Sequence, residues 1–141
     1  SKGYLNNRNK YKKLIASEKN YGLFEIKKYI FFSNDILKKR NKLISKVIKL
    51  KMLGNKIIFI GAAAKSNTFI NYHMLDHKII DYITDTSKNK IGKLTPMSRI
   101  EIKHDDCLKF EKKAYVMILI WNMQKIIKQK LNRLNRNLNF L

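Results

Sequence analysis

Apolar residues recur at helical spacing over the first third of the chain. From Leu23 to Leu53 they fall at Leu23, Ile26, Tyr29 or Ile30, Ile36 or Leu37, Leu43 or Ile44, Val47 or Ile48, and Leu50. Basic residues fill the gaps, so the pattern predicts one long amphipathic helix or two. Ser33-Asn34-Asp35 is placed to interrupt it, with Ser33 or Asn34 capping a second helix. Gly54 is the expected stop, because it follows a last turn carrying Lys49 and Lys51. Residues 1–13 are polar, basic and Asn-rich, and read as a tail or a frayed helix.

The period changes at Lys56. Lys56-Ile57-Ile58-Phe59-Ile60 is a short β-branched and aromatic run, the pattern of a buried strand. Gly61 to Ser66 reads as a small-residue loop, and Asn67 to Leu75 as a helix. Ile79 to Asp85 is a second strand ending in an aspartate, and Ile100 to Ile102 a short third one. Between them, Ser87 to Met97 is a loop holding the only proline, Pro96. Asp105 is placed to cap a brief helix through Phe110. Ala114 to Trp121 is almost wholly apolar and reads as a central strand. Met123 to Leu134 is an amphipathic helix, and no strand is recognisable in Asn132 to Leu141.

Strands alternating with helices imply an α/β fold with a mostly parallel sheet and right-handed crossovers. The expected organisation is a tail (1–13), a helical segment (14–55), the α/β domain (56–134) and a second tail (135–141).

Composition adds bounds. The 141 residues suit one domain, and 45% hydrophobic content is enough to bury a core. No apolar run is long enough to span a bilayer, and the N-terminus lacks the apolar stretch of a signal peptide. The single cysteine, Cys107, leaves no intramolecular disulfide and fits a reducing, cytoplasmic setting. The net charge of +21 makes a nucleic acid or an anionic membrane a physical candidate for a partner. Against that, the basic residues are scattered, with lysine outnumbering arginine, and Asn and Ile are abundant alongside them. A biased, solvated surface is the simpler reading.

The chemistry concentrates in Gly61-Ala62-Ala63-Ala64-Lys65-Ser66-Asn67-Thr68, between a strand and a helix. Small side chains let a ligand approach the backbone, and a helix start attracts phosphate through its free N–H groups. The stretch is neither a dinucleotide fingerprint nor a Walker A loop. A tight turn whose alanines merely pack close remains the alternative. Asp85 ends the next strand, roughly 20 residues on, where dinucleotide folds place a ribose-binding carboxylate. A solvated strand-end aspartate is the competing reading. Trp121 and Asn122 end the fourth strand on the same sheet edge. They suit ring stacking and a hydroxyl contact, or else a core Trp followed by a helix-capping Asn. His73, His77 and His104 lack the partners of a metal site and read as surface residues, and Cys107 reads as a half-buried thiol.

Four stretches taken in order resemble a family. They are Glu18 with Gly22-Leu23, Tyr29 and Phe32; Gly61 to Thr68 with Asn71; Ile80 to Asp85 with Lys90, Gly92-Lys93, Thr95-Pro96 and Ile100 to Ile102; and Tyr115 to Asn122. Together they resemble the C-terminal domain of the SAM-dependent C-methyltransferases that act on nucleotide-linked deoxysugars. The resemblance implies a Rossmann-like three-layer domain, preceded by helices, with the sugar nucleotide bound against a methyltransferase domain. It implies that Gly61, Ala63, Lys65, Ser66, Asn67 and Thr68 hold the pyrophosphate or sugar, and that Asp85, Lys90, Trp121 and Asn122 line the same crevice. Ser66 stands where the family has glycine, and Met97 and Glu101 stand where it has glycine and proline around Pro96.

The family's zinc-cysteine module and SAM-binding loop have no counterpart here. The expectation is therefore a chain that carries no catalytic residue, metal or cofactor of its own. SAM would come from a missing domain or a separate methyltransferase subunit. A basic nucleic-acid-binding or partner-binding module is the alternative function.

Overall fold

The computed structural model describes residues 2–141, with side chains described from Arg8 onward. Ser1, the first residue of the expected tail, lies outside the described residues. The chain divides into two compact units, Ser1–Asn41 and Lys42–Leu141.

Two helices open the chain, α1 (Lys2–Asn20) and α2 (Ile26–Met52). The segment read as a tail or a frayed helix is helical from Lys2. Ser33-Asn34-Asp35 does not interrupt α2, because these residues sit within a continuous helix and Asp35 pairs with Lys39 one turn on, at 2.7 Å. The break falls earlier, at Gly22. There the Gly22 N–H bonds to the Lys19 carbonyl and the Leu23 N–H to the Glu18 carbonyl. Gly54 ends α2 through the same pair of bonds, to Lys51 and from Asn55 to Leu50.

The second unit is built on five parallel strands: β1 (Lys56–Ile60), β2 (Tyr82–Thr84), β3 (Ile102–Lys103), β4 (Ala114–Ile118) and β5 (Leu138–Phe140). Their order is β3-β2-β1-β4-β5. The chain moves outward from β1 to β3, then returns to lay β4 beside β1. That reversal opens a crevice beyond the carboxyl ends of β1 and β4, where open α/β sheets take their ligands. β2 and β4 are shorter than expected, and β3 starts at Ile102. β5 was not expected at all. It pairs Leu138 with Ala114 and Phe140 with Val116, so the segment read as a tail closes the sheet.

Alternation along β1 sends its side chains to both faces. Ile57 and Phe59 pack with Val47 of α2 and with Ile70 of α3 (Ala64–Tyr72). Ile58 and Ile60 pack with Leu131 of α4 (Gln124–Leu134) and with Leu108 in a 3-10 turn, Asp105–Phe110. The result is the expected three-layer α/β arrangement with a core on each side of the sheet. Among the described residues, no helix is long and apolar enough to cross a membrane.

Three details correct the local reading. His73 is buried rather than at the surface, with its ring against Phe69 and Nδ1 2.7 Å from the Phe69 carbonyl oxygen. α3 ends at Tyr72, short of the expected Leu75. Asp105 does not cap the 3-10 turn. That role falls to His104, whose Nδ1 accepts from the Asp106 N–H at 3.3 Å. The Asp105 carboxylate instead takes a hydrogen bond from Lys130 Nζ at 2.7 Å.

Candidate functional site

β1 hands the chain to α3 through Gly61-Ala62-Ala63. Gly61 holds φ at +96°, and a Cβ there would overlap Cγ1 and Cδ1 of Ile120, just past β4. Glycine is required twice over, by backbone angle and by the closeness of the two strand ends. The Gly61 N–H donates to the Thr84 carbonyl at 2.7 Å, which fastens the loop to the end of β2. The next amide, Ala62 N–H, donates to Asp85 Oδ2 at 3.0 Å.

α3 begins at Ala64, three residues before the expected start, so Lys65 and Ser66 lie in its first turn. Ala64 and Lys65 favour a helix, which moves its start ahead of Asn67. Ala63 occupies the capping position with no side-chain hydrogen bond. The helix start is therefore not capped by a protein side chain, which suits an anion in that place.

Asp85 is a fastening residue in this structure. Its Oδ2 accepts from Ala62 N–H and from Lys90 Nζ, each at 3.0 Å, and its Oδ1 accepts from Ser87 N–H at 2.9 Å. Burial works to raise its carboxyl, but the bond from Ser87, the Lys90 ammonium and the bond from Ala62 outweigh it and hold the carboxyl below the usual range. Lys90 reaches the site through this pair.

Lys65, Trp121 and Asn122 come together across the crevice. Lys65 Nζ donates to Asn122 Oδ1 at 2.6 Å and stands 4.3 Å from the centre of the Trp121 ring. Trp121 is 61% exposed, so it is no core residue. Asn122 caps no helix, since α4 starts at Gln124 and Met123 holds its capping position. Ser66 is fully buried, and its Oγ has no partner. The serine in place of glycine is enclosed rather than projecting from the helix. Asn67 Oδ1 is likewise buried and unpartnered, while Thr68 is exposed and its Oγ1 lies 3.4 Å from the Ala64 carbonyl.

On the α4 side of the same strand ends lies a cleft of about 280 Å³. Ile60, Ile120, Met123, Ile126 and Ile127 form apolar walls, and Gly61, Thr84, Asp85, Asp105 and Lys130 bring backbone and polar groups. Thr84 Oγ1 is buried there without a partner. Gly61 and Asp85 are the only expected site residues on this cleft. Thr84, Asp105 and Lys130 escape sequence reasoning because they look like a strand residue, a cap and a solvated lysine. Their position at strand ends β2 and β3 and on the helix after β4 is the available signal.

The family model of the C-methyltransferase C-terminal domain matches residues 2–140. The chain belongs to that family. Among curated proteins, none matches it. Membership agrees with the resemblance carried by the four stretches, and the match reaches through β5, where no family strand was recognisable. In this C-methyltransferase domain, no group of three or more His, Cys, Asp or Glu among the described residues is placed to hold a metal ion. Burial pushes the Cys107 thiol up, which makes it a poor nucleophile.

Proposed function

We propose that this domain binds the nucleotide part of a sugar nucleotide for a SAM-dependent C-methyltransferase. The pyrophosphate would lie at the uncapped start of α3, against Gly61 to Thr68, with Lys65 supplying positive charge. The remainder of the ligand would reach toward Asp85 and the cleft under α4. A base or a deoxysugar, with one apolar face and a few polar edges, suits walls of isoleucine over Thr84 and Asp105. Methyl transfer would need a SAM-binding domain or subunit, so the chain alone would be inactive.

One observation carries this reading. In an all-parallel sheet, the crevice between β1 and β4 has an uncapped helix start on one side and Lys65 stretched across it. Thermal melting with UDP or dTDP tests it. Saturation at a hundredfold excess over the dissociation constant should stabilise the fold by about 2.7 kcal/mol. Lys65→Ala should reduce that gain markedly. Unchanged melting with either nucleotide, alone and with a SAM-binding partner present, would overturn the proposal.

A further inference from the structure

We propose that Asn122 and Trp121 are positioning residues that act through Lys65, rather than groups that touch the ligand. The role belongs to the phosphate site proposed above. Lysine has a four-carbon stem, and fixing it costs rotamer entropy. Lys65 is nonetheless held at two points, by the Asn122 carbonyl oxygen at 2.6 Å and by the Trp121 ring at 4.3 Å. The two holders lie on β4's exit, the residue they hold lies in the first turn after β1, and these strands are neighbours in the sheet.

The geometry favours positioning over competition with a ligand. An ammonium has three donors. Asn122 takes one through its acceptor oxygen, and a ring face takes none in full. At least one donor is left for an anion at the helix start. Asn122 is neutral, so it aligns the charge without cancelling it. Its Oδ1 accepts from Lys65, which turns the carbonyl toward the ammonium. The close packing of Gly61 on Ile120 keeps the two strand ends in register, so a lysine spanning them has a defined span to bridge.

Two measurements on the 141-residue chain test this. The first needs no ligand. Lys65 Hε protons should resonate upfield of the other lysines, because the Nζ they adjoin stands over the ring of the only tryptophan. Lys65→Met assigns the signal, Trp121→Leu should abolish the shift, and Asn122→Ala should move it toward the bulk lysine position. A Lys65 signal coincident with the other lysines overturns the positioning role.

The second is inorganic pyrophosphate affinity by calorimetry in a double-mutant cycle. Asn122→Ala and Trp121→Leu should each weaken binding roughly two- to fivefold when Lys65 is present. In a Lys65→Ala background both should change nothing. Equal weakening in the two backgrounds means direct ligand contact and overturns the proposal. A shifted Lys65 signal with no pyrophosphate binding in any variant supports the positioning of Lys65 and overturns the phosphate reading instead.

Discussion

Two of the loops in the sheet unit that take left-handed backbone meet that demand differently. The first follows β1, where Gly61 sits at φ +96°. The second follows Pro96, where Met97 and Arg99 sit at +62° and +54°. At Gly61 any side chain would run into Ile120, whereas Met97 is 85% exposed and meets no such wall. The fastenings differ too. A part-buried carboxylate, Asp85, holds the first loop through the Ala62 and Ser87 N–H groups. A neutral hydroxyl, Thr95 Oγ1, holds the second by accepting from Ile100 N–H at 2.8 Å and meeting Ser98 Oγ at 2.7 Å. The difference teaches where glycine is enforced by packing and where only backbone preference asks for it. The enforced glycine lies in the crevice of the candidate site.

The largest effect should come from breaking the first loop. Gly61→Ala adds a left-handed alanine and an overlap with Ile120. Together these should cost about 2–4 kcal/mol, read from urea unfolding. Gly61→Ala with Ile120→Ala should recover part of that loss, because the overlap is relieved while the backbone strain stays. A Gly61→Ala protein as stable as wild type would mean the loop can move away from β4, and the contrast between the loops would fall.

Breaking the second fastening comes next. Thr95 is buried, and Thr95→Val leaves the Ile100 N–H without its acceptor. The expected cost is about 1–3 kcal/mol. Because the hydroxyl is neutral, the loss should be the same at pH 7 and pH 4.

Asp85→Asn sharpens the contrast through its pH dependence. At neutral pH it should cost about 1–2 kcal/mol, since the amide keeps one acceptor but loses the Lys90 pair. The folded-state carboxyl lies below its ordinary value, held there against burial by Ser87, Lys90 and Ala62. Its contribution is therefore fully present above the unfolded value of about 3.9 and is lost as the pH falls through the folded one. Wild type should lose stability over that acid window, and Asp85→Asn should lose less. Parallel acid limbs for the two proteins would show that Asp85 is no fastening for the first loop.

Much of this is legible in the residues, for reasons that also mark what is not. β1 and β4 announce themselves as unbroken apolar runs, because strands buried on both faces need no alternation. The crevice loop is legible because small residues between a strand and a helix start have few other uses. β5 is illegible. Leu138-Asn139-Phe140 is three residues long and lies among Asn and Arg, and only its pairing with β4 makes it a strand. α1 is legible only in part, since its first residues are polar and basic and read as a tail or a frayed helix. In the site, the cleft partners Asp105 and Lys130 lie on separate elements and meet only through the fold. Asn122 looked like a cap because it precedes a helix, but the short 3-10 turn Trp121–Met123 comes between and frees its side chain for Lys65.

The smallest effect should run the other way. Met97 is left-handed, exposed, and bound only by a long contact from Asn71 Nδ2 to its Sδ at 3.8 Å. A non-glycine residue in that backbone region costs about 1–2 kcal/mol. Glycine removes the strain but loosens the unfolded chain, which returns part of the gain. Met97→Gly should therefore stabilise the fold by up to about 1 kcal/mol, seen as a higher urea midpoint with an unchanged slope. Nucleotide binding should not change, because the loop takes no part in the crevice between β1 and β4. Gly61 and Met97 then give opposite signs for opposite exchanges because the backbone of both prefers glycine, and only at Gly61 does a neighbour enlarge the cost. A destabilised Met97→Gly would mean that the methionine side chain holds its loop, and that backbone preference is not what separates the two.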